Sequence, residues 1–406
     1  MKDKIYNKIR LIDNELDIRR KSLKSISLFT GLGGLPVFYF LMYKLTEDDN
    51  YIAKIHETLE DIVVILNESE YDLSYCNGLV GIGYMFNFLK NKNILTDEFN
   101  NDIKDSLEFI DDRIVNFSLK NTETIDDVDF LHGSFGAAFY LNDRLNDNNS
   151  VELKKSVVIL FEKLGNIVIE DIAKFRSVRD VINYDEKTHK TNLGLAHGYI
   201  SYIIIFSKFL ENFSNNKLVR KALKECVYCF LEFENDKSNN ISQFPSIAIN
   251  KLTAKYNVSL GWCYGDQTIS LGLYRASKIL DDKIIGDKSS KLAYQNLKRN
   301  TIEKIFPLQN YDAGFCHGLA SVAYLHKKWF IISEDKDFYD LYEKSILDII
   351  DFGNKNVGIV GYQKYLGNNR YEDTIGLLDG VIGIGIVLID YLLDEDSGWD
   401  SLFLLN

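Results

Sequence analysis

The sequence predicts an all-α protein: an α/α toroid, or barrel, of seven inner and seven outer helices forming one domain over residues 1–406. Three observations carry this. A small-residue turn followed by an apolar run recurs seven times along the chain. A stretch with helical periodicity and one charged face precedes most of these turns. Only 3 of the 406 residues are proline, which suits long helices and leaves no Pro-rich linker.

The turn and its apolar run read FTGLGGLPVFYFL from Phe29, YCNGLVGIGYMFNFL from Tyr75, FLHGSFGAAFYL from Phe130 and LAHGYISYIIIF from Leu195. They continue as WCYGDQTISLGLY from Trp262, FCHGLASVAYL from Phe315 and LLDGVIGIGIVLIDYL from Leu377. The anchoring glycines are Gly31, Gly78, Gly133, Gly198, Gly265, Gly318 and Gly380. Their uneven spacing suits a two-helix unit with variable loops. The charged-face stretches include Tyr51–Asn67, Val151–Val168 and Leu218–Glu232, whereas the runs after the turns are apolar nearly all round, as in a helix buried on both sides. Seven pairs that cannot each cover their own apolar helix must share a core. An open solenoid would leave its end helices bare, and the last run, Gly380 to Leu393, shows no polar capping face. Closure into a ring brings all seven turns to one end of the barrel, where the side chains beside the glycines converge.

A formal charge of −12 disfavours nucleic acid, since neutralising phosphates needs a basic surface. Met1 to Asn14 is too broken by charge for a signal peptide, and the longest apolar stretch, Val381 to Ile389, is too short to span a bilayer. A cytoplasmic location is therefore expected. Five scattered cysteines, an odd number, make no disulfide framework and read better as metal ligands or reactive thiols.

The two residues before each anchoring glycine concentrate such side chains: Cys76-Asn77, Leu131-His132, Ala196-His197, Cys263-Tyr264, Cys316-His317 and Leu378-Asp379 among them. Cys263 and Cys316 hold equivalent places in adjacent repeats, and His317 follows Cys316 directly. Two thiolates and an imidazole form a three-ligand set for one zinc ion, and a fourth, open position marks a catalytic site. A lone cysteine is more often a small buried residue; two matched cysteines, one followed by histidine, favour the metal. His197 suits the acid–base role, because its ordinary pKa lies near working pH and its turn faces the same axis.

With G-W-C-Y-G at Gly261–Gly265, C-H-G at Cys316–Gly318, A-H-G at Ala196–Gly198 and seven Gly turns, the whole chain resembles the lanthionine synthetase C-like family, the lantibiotic cyclases. The resemblance implies a zinc-dependent enzyme that closes (methyl)lanthionine rings by adding cysteine thiols to dehydroalanine or dehydrobutyrine in a dehydrated precursor peptide with its leader. It implies a dehydratase and an ABC exporter as partners in a maturation complex, which would place the chain peripherally at the inner face of the membrane. His197 matches the family's histidine, and Asp129 its nearby acidic residue, placed to orient His197 or a water. Tyr264 and Trp262 match the flanking aromatics; Tyr264 is placed to donate to an enolate, and packing under the turn accounts for Trp262. Turn capping is the competing reading of Asp129. The family's arginine before W-C-Y-G is missing from NVSLGWCYG, so either that role is dispensable or Lys255, Arg176 or Arg179 supplies the positive charge from a loop.

Other features read as structure. Cys226 and Cys229 share a helix face and pack in a core, Cys76 belongs to a distant repeat, and His132 is a turn histidine or a second proton carrier. The glycines of GLVGIG and GVIGIG follow helices, not strands, and so make no dinucleotide site. The long polar loops Phe175–Thr191 and Glu234–Asn257 are expected to grip the peptide. Two competing functions remain: addition of glutathione to dehydroamino acids, and a non-catalytic scaffold for the leader.

Overall fold

The computed structural model describes all residues except 69–70, 149, 179–190, 236–241, 249–253, 257–258, 309–310 and 394. Among the described residues are fifteen α-helices, and every strand is two residues long. Seven helices follow the seven turns: Leu35–Thr46, Leu79–Lys90, Ser134–Arg144, Tyr199–Asn212, Asp266–Leu280, Leu319–Ser333 and Val381–Leu392. Seven more carry the charged faces: Lys2–Arg19, Asn50–Glu68, Asp97–Asn121, Val151–Val178, Lys217–Leu231, Lys283–Leu297 and Lys336–Phe352. The fifteenth, Ile302–Ile305, is a single turn. The alternation expected from the sequence is therefore present, with Val151–Val178 running ten residues beyond the expected end at Val168 (178 − 168).

Burial separates the two kinds of helix. Every residue from Leu79 to Leu89 is buried, and so is every residue from Val381 to Asp390. In Asn50–Glu68, by contrast, only Tyr51, Ile55, Thr58, Leu59 and Ile62 are buried, a one-sided stripe at helical spacing. Three of the charged-face helices carry side-chain N-caps: Asn216 accepts from Val219 N–H, Asp282 from Ile284 N–H and Asp335 from Asp337 N–H. The apolar helices begin on glycine and lack such caps.

Contacts divide the chain into two compact units, Met1–Asp112 with Asn310–Asn406, and Arg113–Gln309. In the first, the helix Val381–Leu392 packs against Lys2–Arg19, Leu35–Thr46 and Leu319–Ser333. Its C-terminal 3-10 segment Trp399–Phe403 enters the core, where Phe403 meets Phe315 at 4.1 Å and Phe29 at 5.2 Å between ring centroids. In the second unit, Tyr199–Asn212 packs against Ser134–Arg144, Lys217–Leu231 and Asp266–Leu280. A small antiparallel sheet there pairs Thr191–Asn192 with Ile247–Ala248, and that pair with Ala254–Lys255. The described ends of the two loops expected to grip a peptide thus meet each other.

A common frame explains the anchoring glycines. The Gly31, Gly78, Gly133, Gly265 and Gly380 N–H groups each donate to the carbonyl four residues earlier. In the first unit the next residue reaches further back: Leu32 N–H to Ser25 O, Leu79 to Asp72, Leu319 to Asp312 and Val381 to Thr374. This fold-back lays the earlier carbonyl against the glycine, so a Cβ on Gly78 would overlap the Asp72 carbonyl oxygen. Close approach of backbone, rather than a left-handed φ, demands glycine here; Gly78 has φ −118°.

Candidate functional site

Neighbouring turns are stitched together by their backbones. In the first unit, Phe315 N–H and Cys316 N–H both donate to Leu378 O (2.8 and 2.9 Å), and Leu378 N–H donates to Phe29 O (3.1 Å). In the second, Leu195 and Ala196 N–H share Cys263 O, at 2.8 and 3.3 Å. The residues next to each anchoring glycine therefore sit on a fixed backbone, which is what a preorganised site requires.

In the first unit Cys316 and His317 lie at the start of the helix Leu319–Ser333, both partly buried. The buried Asp312 carboxylate lies beside them, with Oδ2 3.4 Å from His317 Nε2. Burial works against the imidazolium, but Asp312 and the Cys316 thiol outweigh it and push His317 up to about 11. Lys364, on a hairpin that pairs Lys364–Tyr365 with Tyr371–Glu372, bonds Asp379 at 2.7 Å. Burial disfavours the Lys364 charge, yet Asp379 and the Cys316 thiol hold its pKa above the ordinary value.

The second unit carries the other expected residues. Cys263 is buried and Tyr264 partly exposed, just before Gly265. His197 Nδ1 lies 2.7 Å from Asp129 Oδ2, while Asp129 Oδ1 accepts from His132 N–H at 2.8 Å. The His132 and His197 rings are parallel, with centroids 5.7 Å apart. Asn192 Nδ2 donates to the Tyr264 phenol oxygen at 3.0 Å. After Gly265, the buried Asp266 accepts from Gln243 and Phe244 N–H, and burial raises its pKa to about 6 against those bonds and the Arg299 charge.

Cys263, Cys316 and His317 make up a group of three side chains that could hold a metal ion. Its donor chemistry fits zinc, with two sulfurs, one imidazole and a carboxylate beside the Nε2 of the histidine. Trp262 is fully buried, as expected for packing under the turn. Cys226 and Cys229 are both fully buried on the helix Lys217–Leu231, and burial pushes the Cys226 thiol far up. Of the candidate cations, Arg176 is committed to Glu225 and Glu232 at 2.7 and 2.8 Å. Lys255 is exposed, and Arg179 lies outside the described residues, as does most of Phe175–Thr191 and much of Glu234–Asn257. Sequence reasoning missed Asp312, Lys364 and Asn192. For Asp312 and Asn192 a signal existed, since each stands six residues before an anchoring glycine, where Ser25, Asp72 and Thr374 also stand.

The chain is thus a helical protein of repeated glycine turns with a Cys–Cys–His group that could hold a metal ion. The family model described as lanthionine synthetase C-like protein matches residues 22–404, and the chain belongs to that family. It is 24% identical over 380 residues to the nisin biosynthesis protein NisC of Lactococcus lactis subsp. lactis, covering 87% of this chain and 83% of that one. It also matches the solved structure of a nisin cyclase with a TM-score of 0.72 at 19% identity, over 100% of this chain and 98% of the other. That likeness shows the fold class expected from the sequence, the α/α toroid.

Proposed function

We propose that this chain is a lantibiotic cyclase that uses one zinc ion, held by Cys263, Cys316 and His317, to form (methyl)lanthionine rings in a dehydrated precursor peptide. The observation that carries the reading is the Cys–Cys–His donor group in a chain of this family. A peptide thiol is mostly protonated at neutral pH, with a pKa of about 8.5. A zinc ion held by these three residues would keep a coordinated substrate sulfur as thiolate.

This chain's own residues would then manage the proton. Addition of sulfur to the β-carbon forms the C–S bond and moves the π pair towards the neighbouring carbonyl as an enolate; a proton must then reach the α-carbon. Asp129 fixes His197 through Nδ1, so Nε2 is the nitrogen that takes the proton released by the substrate thiol and returns it to the α-carbon, and the carboxylate stabilises the imidazolium in between. Asn192 holds the Tyr264 phenol by its oxygen, which suits Tyr264 to donate its hydrogen to the enolate oxygen. The sheet formed by the described ends of the two long loops includes Asn192 itself, which supports those loops as the peptide grip.

The same reading treats residues 1–406 as one cyclase domain working in the cytoplasm with a dehydratase and an ABC exporter. Among the described residues no helix is long and apolar enough to cross a membrane. Mass spectrometry of a co-expressed dehydrated precursor, with thiol blocking to count unreacted cysteines, tests the function. Wild-type protein should leave no blockable thiol, and Cys316→Ala should lose zinc and ring formation together. Full ring formation by the zinc-free variant would overturn the reading, and glutathione adducts in place of rings would redirect it.

A further inference from the structure

In five of the seven turns, the side chain six residues before the anchoring glycine accepts the N–H of the residue two positions on. Ser25 does so for Ser27 (3.2 Å), Asp72 for Ser74 (2.7 Å), Asn192 for Gly194 (3.0 Å), Asp312 for Gly314 (2.9 Å) and Thr374 for Gly376 (3.3 Å). One oxygen is enough for this bond, since Ser25 and Thr374 have only a hydroxyl. Asp312 brings a second oxygen to a position that does not need one. A buried carboxylate is costly unless each oxygen finds partners. Oδ1 has Gly314 N–H, while Oδ2 receives Tyr365 N–H at 2.9 Å and faces His317 Nε2 at 3.4 Å.

We infer that Asp312 is a positioning residue for metal binding: its second carboxylate oxygen fixes the tautomer and ring orientation of His317, holding Nε2–H and turning Nδ1 towards the metal. The inference rests on the zinc reading above. Its physical basis is that an imidazole ligand with its far N–H held by a carboxylate is locked in one tautomer and is a stronger base at the metal. Tyr365 N–H, from the hairpin 53 residues along the chain, keeps the carboxylate from rotating away.

The turns themselves supply the control substitution. Asp312→Ser keeps the one-oxygen bond that Ser25 makes in its own turn and removes only the second oxygen. Zinc affinity of the full-length protein, measured by competition with a chelator, should fall roughly 10- to 100-fold. The metal-free unfolding temperature should fall by no more than a few degrees below that of metal-free wild type, the cost of the lost Tyr365 N–H bond. A second measurement needs no variant: nitrogen-15 NMR of the zinc-loaded wild type, which has six histidines, should show His317 protonated at Nε2 and metal-bound at Nδ1. Wild-type zinc affinity in Asp312→Ser, or a metal-bound Nε2, would overturn the inference. Failure of the zinc reading is separate, because there the wild type itself takes up no zinc and Cys316→Ala changes nothing.

Discussion

Ser74 and Asp129 occupy the same place, four residues before the anchoring glycine, in the turns at Gly78 and Gly133. Both do the same first job: Ser74 Oγ accepts Asn77 N–H at 3.0 Å, and Asp129 Oδ1 accepts His132 N–H at 2.8 Å. Ser27 does it in the Gly31 turn, accepting Thr30 N–H at 3.1 Å. The difference lies in what is left over. Asp129 has a second oxygen, and it meets His197 Nδ1 at 2.7 Å. In the turn at Gly78 the Ser74 side chain serves its own turn, whereas in the turn at Gly133 Asp129 serves its own turn and also holds a side chain of the next repeat. Where the frame needs one acceptor and the chain supplies two, the extra atom points at chemistry.

The contrast can be pressed at several strengths. Removing the group that the extra atom serves should have the largest effect: His197→Ala should lower turnover by about 10²- to 10⁴-fold, the usual worth of a positioned acid–base group. Steady-state ring formation, with zinc content checked to be unchanged, measures it. The frame itself should respond in stability instead. Gly78→Ala forces a Cβ onto the Asp72 carbonyl oxygen and should cost about 1–3 kcal/mol, the range for overpacking. Gly165→Ala, within the helix Val151–Val178 and facing Ala222 at ordinary contact distance, should stabilise by up to about 1 kcal/mol. Denaturant midpoints of the two variants should move in opposite directions.

A smaller effect is expected at Asn192, whose oxygen serves the frame and whose nitrogen holds Tyr264. Asn192→Ser keeps the first bond and should reduce turnover several-fold, about the worth of one neutral hydrogen bond, with a smaller change in unfolding temperature. The smallest effect concerns Asp266, buried and raised from 3.8 to about 6. Its folded pKa exceeds its unfolded one, so the folded state takes up the proton first, and this group's contribution to stability falls as pH rises from about 4 to about 6. The difference in unfolding free energy between Asp266→Asn and wild type, followed across that window, should show the slope removed.

Much of the fold and part of the site are legible in the amino-acid sequence. The seven turns stand out because close backbone approach leaves glycine little substitute, and the helices on either side repeat one burial pattern. Cys263, Cys316 and His317 stand out because ligand chemistry belongs to few residue types. Helix ends are harder to read. Val151–Val178 outruns its expected end because its last turns are held from outside, where Arg176 pairs with Glu225 and Glu232 on the helix Lys217–Leu231 and just beyond it. That pairing also removes Arg176 from the candidate cations. Asp312 is hidden for a different reason. Its position tolerates serine, threonine, asparagine or aspartate for the frame, so residue type alone does not separate the aspartate that serves a histidine from the serine that does not. Only Tyr365 and His317, one of them 53 residues away, make the difference visible.

The most direct test of the contrast is Asp129→Ser, which turns the Gly133 turn into the Gly78 version. The serine should still accept the His132 N–H, so the unfolding temperature should change by no more than a few degrees, while turnover falls by roughly 10- to 100-fold with zinc content intact. Wild-type turnover in Asp129→Ser, or a loss of activity that only follows a loss of folded protein, would contradict the account, because Asp129 would then be a turn cap and nothing more.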